Sequence, residues 1–141
     1  MKDLLNNIDV KRCISPQSVA DTTPVVGQII DRQGFDSLTY IIATGALPDA
    51  DATFTVLLEE GDQANMSDAS AVADADLIGT EALAGFTFGD DNECRKLGYK
   101  GIKRYTRLTI TAANLATGAE LMAAVAILGS PALAPTANPP A

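Results

Sequence analysis

Apolar residues in this chain recur most regularly at every second position. Thr53-Phe54-Thr55-Val56-Leu57-Leu58 alternates polar and apolar side chains, the pattern of a strand with one buried face. Leu38-Thr39-Tyr40-Ile41-Ile42-Ala43 is β-branched and aromatic in character; Gly34-Phe35-Asp36-Ser37 leads into it and Thr44-Gly45 closes it. Tyr105-Thr106-Arg107-Leu108-Thr109-Ile110-Thr111 is the clearest strand. Ile102, Leu108 and Ile110 share one parity there. Lys103, Tyr105, Arg107, Thr109 and Thr111 share the other, which is polar and predicted to look outward. Arg104 falls on the apolar parity, so it is expected near a strand end or at an interface. These runs predict strands near 37–43, 53–58 and 104–111. Ala119 to Leu128 leaves two readings open: its Ala, Glu, Leu and Met favour a helix, while the bounding Gly118 and Gly129 and the short length allow a buried strand.

Turn signals separate the runs. Leu47-Pro48-Asp49-Ala50-Asp51 reads as a turn, Gly61 and Asp62 open a polar loop, and Gly89-Asp90-Asp91-Asn92 forms a turn cluster. Short strands joined in this way, with no βαβ rhythm, predict an all-β fold: a single antiparallel β-sandwich or jelly-roll domain over 13–130. An extended arm is expected at 1–12, where Leu4, Leu5 and Ile8 are too few to hold a helix. A second is expected over 131–141, which holds four of the seven prolines and is predicted to be mobile or to lie on a neighbour. With much of its apolar content in Ala and no Trp, the core is expected to be thin and to lean on oligomer contacts.

Charge changes the picture. The 141 residues carry a net charge of −8, yet Arg95, Lys96, Lys100, Lys103, Arg104 and Arg107 make up six of the ten basic residues. Between Asp49 and Glu93 stand twelve acidic residues and no basic one. Such a strip on an acidic body fits docking to an acidic protein better than a nucleic-acid groove, because the rest of the surface repels phosphate. A soluble, charged sheet edge is the plainer alternative. Nucleic-acid binding would require Tyr99 and Tyr105 to stack on bases beside the strip. Lys103 and Arg107 flank Tyr105 on the outward parity and are expected to act together on one partner.

Catalytic patterns are missing. There is no histidine, which excludes Ser-His-Asp and Cys-His arrangements. There is no phosphate loop and no Gly-x-Ser-x-Gly. The pairs Asp49 with Asp51, Asp74 with Asp76, and Asp90 with Asp91 do not continue as a calcium loop; the oxygen ligand required two residues after Asp76 is replaced by Ile78. Glycosidase chemistry would use paired carboxylates, but the aromatic platform that sugars prefer is thin. No catalytic role, cofactor or metal is expected. Cys13 and Cys94 lack Cys-x-x-Cys spacing and are expected as free thiols, unneeded for folding. The opening residues have no signal-type apolar stretch, and no apolar run is long enough to cross a bilayer, so a cytoplasmic protein without a membrane role is expected.

Three blocks carry a family resemblance. Asp31-Arg32-Gln33-Gly34-Phe35-Asp36-Ser37-Leu38-Thr39 is the first. Phe54 through Glu60, followed after a polar loop by Ala75-Asp76-Leu77-Ile78-Gly79-Thr80, is the second. Leu97-Gly98-Tyr99-Lys100-Gly101-Ile102-Lys103-Arg104-Tyr105-Thr106-Arg107 is the third. In order and spacing they resemble capsid cement (decoration) proteins of tailed bacteriophages. Ala126 to Pro131 is similar to that family's final strand, which turns Ala119 to Leu128 toward a strand near 120–128. The loop Gly61 to Ala73 departs from the pattern, with no aromatic after Asn65-Met66-Ser67. The resemblance implies a jelly-roll-like structural protein on the outside of a virion shell of HK97-type major capsid protein, assembled in the host cytoplasm as a homo-oligomer, dimer or trimer. The charge strip, on its own, sets the expected partner contacts at Arg95, Lys96, Lys100, Lys103, Arg104, Tyr105 and Arg107, with no nucleic acid and no membrane. The alternative is a glycan- or receptor-binding β-sandwich module of a phage tail or host-surface protein.

Overall fold

A computed structural model describes residues 2–116 and 118–140. The chain forms two antiparallel sheets packed face to face. The strands, in chain order, are β1 (Ile8–Val19), β2 (Val25–Val26), β3 (Ile30–Asp31), β4 (Phe35–Thr44), β5 (Thr53–Gly61), β6 (Ser70–Ala71), β7 (Leu77–Ile78), β8 (Phe86–Thr87), β9 (Cys94–Tyr99), β10 (Tyr105–Ala113) and β11 (Glu120–Pro131). One sheet has the order β1-β11-β4-β9-β7. The other runs β2-β10-β5-β6, with β3 added to β10 and β8 to β5. The major strands pass back and forth between the sheets, which is the winding of a jelly roll.

The period-two runs become strands because their buried parity meets the opposite sheet. Leu38, Tyr40 and Ile42 of β4 and Leu108 and Ile110 of β10 are all nearly sealed from solvent. Phe54 and Phe86 stack with centroids 4.6 Å apart where β8 joins β5. The Tyr40 hydroxyl shares a 2.7 Å hydrogen bond with Thr106 Oγ1, joining the sheets through the core. Gly34, at φ +88°, closes the turn between β3 and β4, a left-handed conformation that glycine adopts without steric cost. Ala119 to Leu128 resolves as strand: β11 lies between β1 and β4. Ile102 does not join the apolar parity of Leu108 and Ile110; β10 starts at Tyr105, and Ile102 is 92% exposed in the connection before it.

β1 is an element that the period-two pattern does not reveal. Its inward parity carries Asp9 and Lys11, paired at 2.9 Å, and register shifts between Arg12 and Gln17 break the alternation. Pro16 is tolerated because β1 is an edge strand. Residues 8–12, expected within a free arm, are therefore ladder residues paired with Ala126 to Gly129 and Val125.

The Pro-rich tail folds back on the same chain. Ala132 N–H donates to Gly34 O at 2.8 Å, and Thr136 donates from its backbone to Asn6 O and from its hydroxyl to Ile8 O. Few apolar groups are covered there; Leu133 is 85% exposed. Deleting residues 133–141 is expected to lower stability by only about 1–2 kcal/mol, the worth of a few exposed hydrogen bonds. Urea denaturation checks this, and loss of the folded baseline would show that the tail belongs to the core.

Candidate functional site

The basic strip is contiguous in sequence but divided in space. Arg95 and Lys96 lie on β9 in the five-stranded sheet, Tyr105 and Arg107 on β10 in the other, and Lys100, Lys103 and Arg104 in the crossing between them. Leu97 and Tyr99 point into the core. Gly98 lies under Ile78 of β7, where a Cβ would stand 2.9 Å from the Ile78 Cβ.

Tyr99 and Arg32 build the crossing. The Tyr99 hydroxyl donates to Glu60 Oε2 and accepts the Lys103 N–H at 3.1 Å. Burial, together with the Glu60 hydrogen bond, raises the Tyr99 pKa. The Arg32 guanidinium lies 5.0 Å from the centre of the Tyr99 ring and donates to Lys103 O at 2.6 Å and Gly101 O at 2.8 Å. Gly101 has to be glycine here: a Cβ would sit 2.5 Å from the Tyr99 hydroxyl oxygen.

Four of the six strip cations are occupied by carboxylates of this chain. Arg95 binds Asp90 and Glu93, each at 2.6 Å. Lys103 pairs with Asp62. Arg104 forms a fork with Asp31 at 2.8 and 2.9 Å and lies over the Tyr105 ring. Its hydrogen bonds hold the Asp31 carboxyl below the usual range. Arg107 donates twice to Glu59 Oε2 at 2.9 and 3.1 Å, and the two residues are cross-strand partners. Arg104 does fall at a strand end. Lys103 and Arg107 do not form the free cationic pair that their shared parity implies. Lys96 and Lys100 are exposed and have no ion pair among the described residues.

Carboxylates also hold the opposite end of the fold. Asp49 accepts the N–H of Ala116 at 2.6 Å and of Asp51 at 3.1 Å; Asp91 accepts that of Leu47 at 2.8 Å. Asp49 is buried, while Asp91 ties its loop from an exposed position. Among the described residues no group of three or more His, Cys, Asp or Glu is placed to hold a metal. Glu120, first residue of β11, is fully buried beside them. Its Oε1 accepts the Asp49 N–H at 3.0 Å, and its Oε2 has no hydrogen-bond partner. Burial raises its pKa, and the neighbouring Asp49 and Asp91 charges add to the shift. The sequence pattern shows only one carboxylate opening an apolar run; the contact that seats it comes from the 45–52 loop, whose Asp49 is itself tied to Ala116.

Because the Glu120 pKa is raised on folding, its penalty is absent below the unfolded pKa, appears as pH rises through it, and is complete above the folded pKa. Glu120→Gln is therefore expected to be more stable than wild type at pH 7, by about 1 kcal/mol, with the difference vanishing near pH 4. Thermal melts across that range check it; a destabilised Gln variant at pH 7 would show that the ionised carboxylate is held by other contacts.

Both cysteines are free. Cys13 is buried, which pushes its thiol up to about 12, and Cys94 is exposed.

No family model and no curated protein matches this sequence. Solved structures resemble it in fold. The SPBc2 prophage-derived protein YomS is 13% identical, with 92% of this chain and 100% of that chain covered at a TM-score of 0.47. The xylan-binding module CBM15 is 10% identical, with 93% and 95% covered at 0.45. The capsid of Ralstonia phage GP4 is 10% identical, with 91% and 86% covered at 0.44.

Proposed function

We propose that this chain is a structural virion protein that binds the outside of a phage shell as an oligomer and cements it. One observation carries the reading. The sequence blocks that resemble capsid cement proteins are the strands of a jelly roll: Asp31 to Thr39 enters β4, Phe54 to Glu60 is β5, Leu97 to Arg107 links β9 to β10, and Ala126 to Pro131 ends β11. A stiff sandwich of this kind presents a fixed surface. Many copies on one closed lattice make a modest affinity per site sufficient. The work is adhesion, with no reaction to catalyse.

A sugar-binding role would require exposed aromatic rings. Tyr40, Phe54, Phe86 and Tyr99 are buried, Phe35 and Tyr105 are half-buried, and Phe88 alone is exposed among the seven described Phe and Tyr residues. That is one exposed ring rather than the group of exposed rings on which a glycan stacks.

The test is to add purified chain to shells assembled from the phage's own major capsid protein without it. Saturable binding and a higher rupture temperature are expected. Shells that neither bind the chain nor gain resistance would refute the reading.

A further inference from the structure

The outward faces of the two sheets differ in kind. On the β10–β5 sheet the outward residues mix Thr53, Thr55, Thr109 and Thr111 with the closed Arg107–Glu59 pair, and with Leu57 and Val26 on either side of Thr109. On the five-stranded sheet, register sets Val10, Ile127, Thr39, Gly98 and Ile78 in one row. The next row is Arg12, Val125, Ile41 and Lys96. Of the three acidic residues on these five strands, Asp9 and Glu120 are buried, and Asp36, at the start of β4, is exposed but lies outside these two rows. The charges there are Arg12 and Lys96, at opposite ends of an apolar row, and neither has a carboxylate partner among the described residues.

The same face carries two shallow apolar depressions. One, of about 450 Å³, is lined by Ile78, Leu83 and Lys96. The other, of about 380 Å³, is lined by Pro16, Leu121 and Ala123. Ile78, Leu83 and Leu121 are 60%, 73% and 45% exposed. The five strands hold 42 residues, which at about 3.3 Å along and about 4.8 Å across give the face a footprint of roughly 500–700 Å², close to the ~800 Å² that each partner contributes to a standard interface.

We infer that this face is the docking surface, and that it takes a protein surface apolar at its centre with carboxylates at two edges, opposite Arg12 and Lys96. The inference rests on the cement reading, with the shell as that partner. A second copy fits poorly. Stacked face to face about a twofold axis along the strands, Arg12 of one copy meets Lys96 of the other. About an axis across the strands, each cation meets its own equivalent. In both cases like charges oppose and no carboxylate arrives, which costs affinity.

The test uses the full chain and bare shells of the phage's major capsid protein. Arg12→Glu with Lys96→Glu is compared with Lys100→Glu plus Lys103→Glu, which changes net charge equally but lies off this face. Ile78→Asp serves as a third variant at an exposed position. The first pair and Ile78→Asp are expected to weaken binding at least tenfold, and the second pair less than threefold. If wild type binds and all variants bind alike, or the second pair weakens binding more, the face assignment falls while the cement reading stands. If wild type does not bind, both fall. If the free chain self-associates in sedimentation and the first pair abolishes it, the occupant is a second copy and the assignment is overturned.

Discussion

Tyr99→Ala is expected to lower stability by about 3–5 kcal/mol, the range for emptying an aromatic site in a packed core. The ring is buried at the point where the chain leaves one sheet for the other. It carries the Arg32 guanidinium on its face and tethers Glu60 and Lys103 through its hydroxyl. Removing the ring therefore empties the core and frees the 100–104 crossing together. Tyr99→Phe keeps the packing and loses only the hydroxyl, leaving Glu60 and the Lys103 N–H short of a partner, so a smaller loss of about 1–3 kcal/mol is expected. Gly101→Ala attacks the same joint from the other side, by pushing a methyl group into the hydroxyl, and is expected to cost about as much as other overpacking changes, roughly 1–3 kcal/mol. Urea denaturation of the three variants would rank them. Tyr99→Ala within 1 kcal/mol of wild type would show that the crossing is held by other contacts.

The second large effect concerns Tyr40 and Thr106, both fully buried and bonded to each other between the sheets. Thr106→Val is expected to cost about 1–3 kcal/mol, because it strands the Tyr40 hydroxyl without a partner in the core. Tyr40→Phe strands the Thr106 hydroxyl in the same way. The double variant removes both polar groups at nearly constant shape, so it is expected to lose less than the sum of the singles, and as little as either single alone. Strict additivity would mean that each hydroxyl has another partner in the core.

The long strands were legible because each buries one parity against a facing sheet. Strands expected near 37–43, 53–58, 104–111 and 120–128 are found at Phe35–Thr44, Thr53–Gly61, Tyr105–Ala113 and Glu120–Pro131. The last required the family resemblance, since the local preferences of Ala, Leu and Met do not choose between helix and strand. β1 and β9 were hidden for opposite reasons. In β1 charged residues fall on the inward parity at an open edge, where Asp9 and Lys11 neutralise each other. In β9 the outward parity is Cys94, Lys96 and Gly98, and Gly98 is acceptable only because Ile78 covers it.

The strip was legible as a concentration of charge but not as a surface. Its neutralising partners lie far away in sequence; Arg104 and Asp31 are 73 residues apart, and Arg107 and Glu59 are 48 apart. Only the pairing of β10 with β5 brings the second couple together. Glu59 lies one residue beyond the strand expected at 53–58, on the outward parity of Thr53, Thr55 and Leu57, so its side was legible but its partner was not. The apolar outer face of the five-stranded sheet was out of reach, because it is assembled from five separated segments whose register no local pattern encodes.

The central claim, adhesion to a shell by many identical copies, is tested most directly by stoichiometry. On the proposed reading, particles of a phage whose genome carries this chain are purified and dissolved, and the chain is quantified by mass spectrometry against the major capsid protein. A fixed ratio amounting to hundreds of copies per particle is expected, since cementing a closed lattice requires occupation across it. A count of tens or fewer would contradict the account and place the chain in a tail or fibre instead.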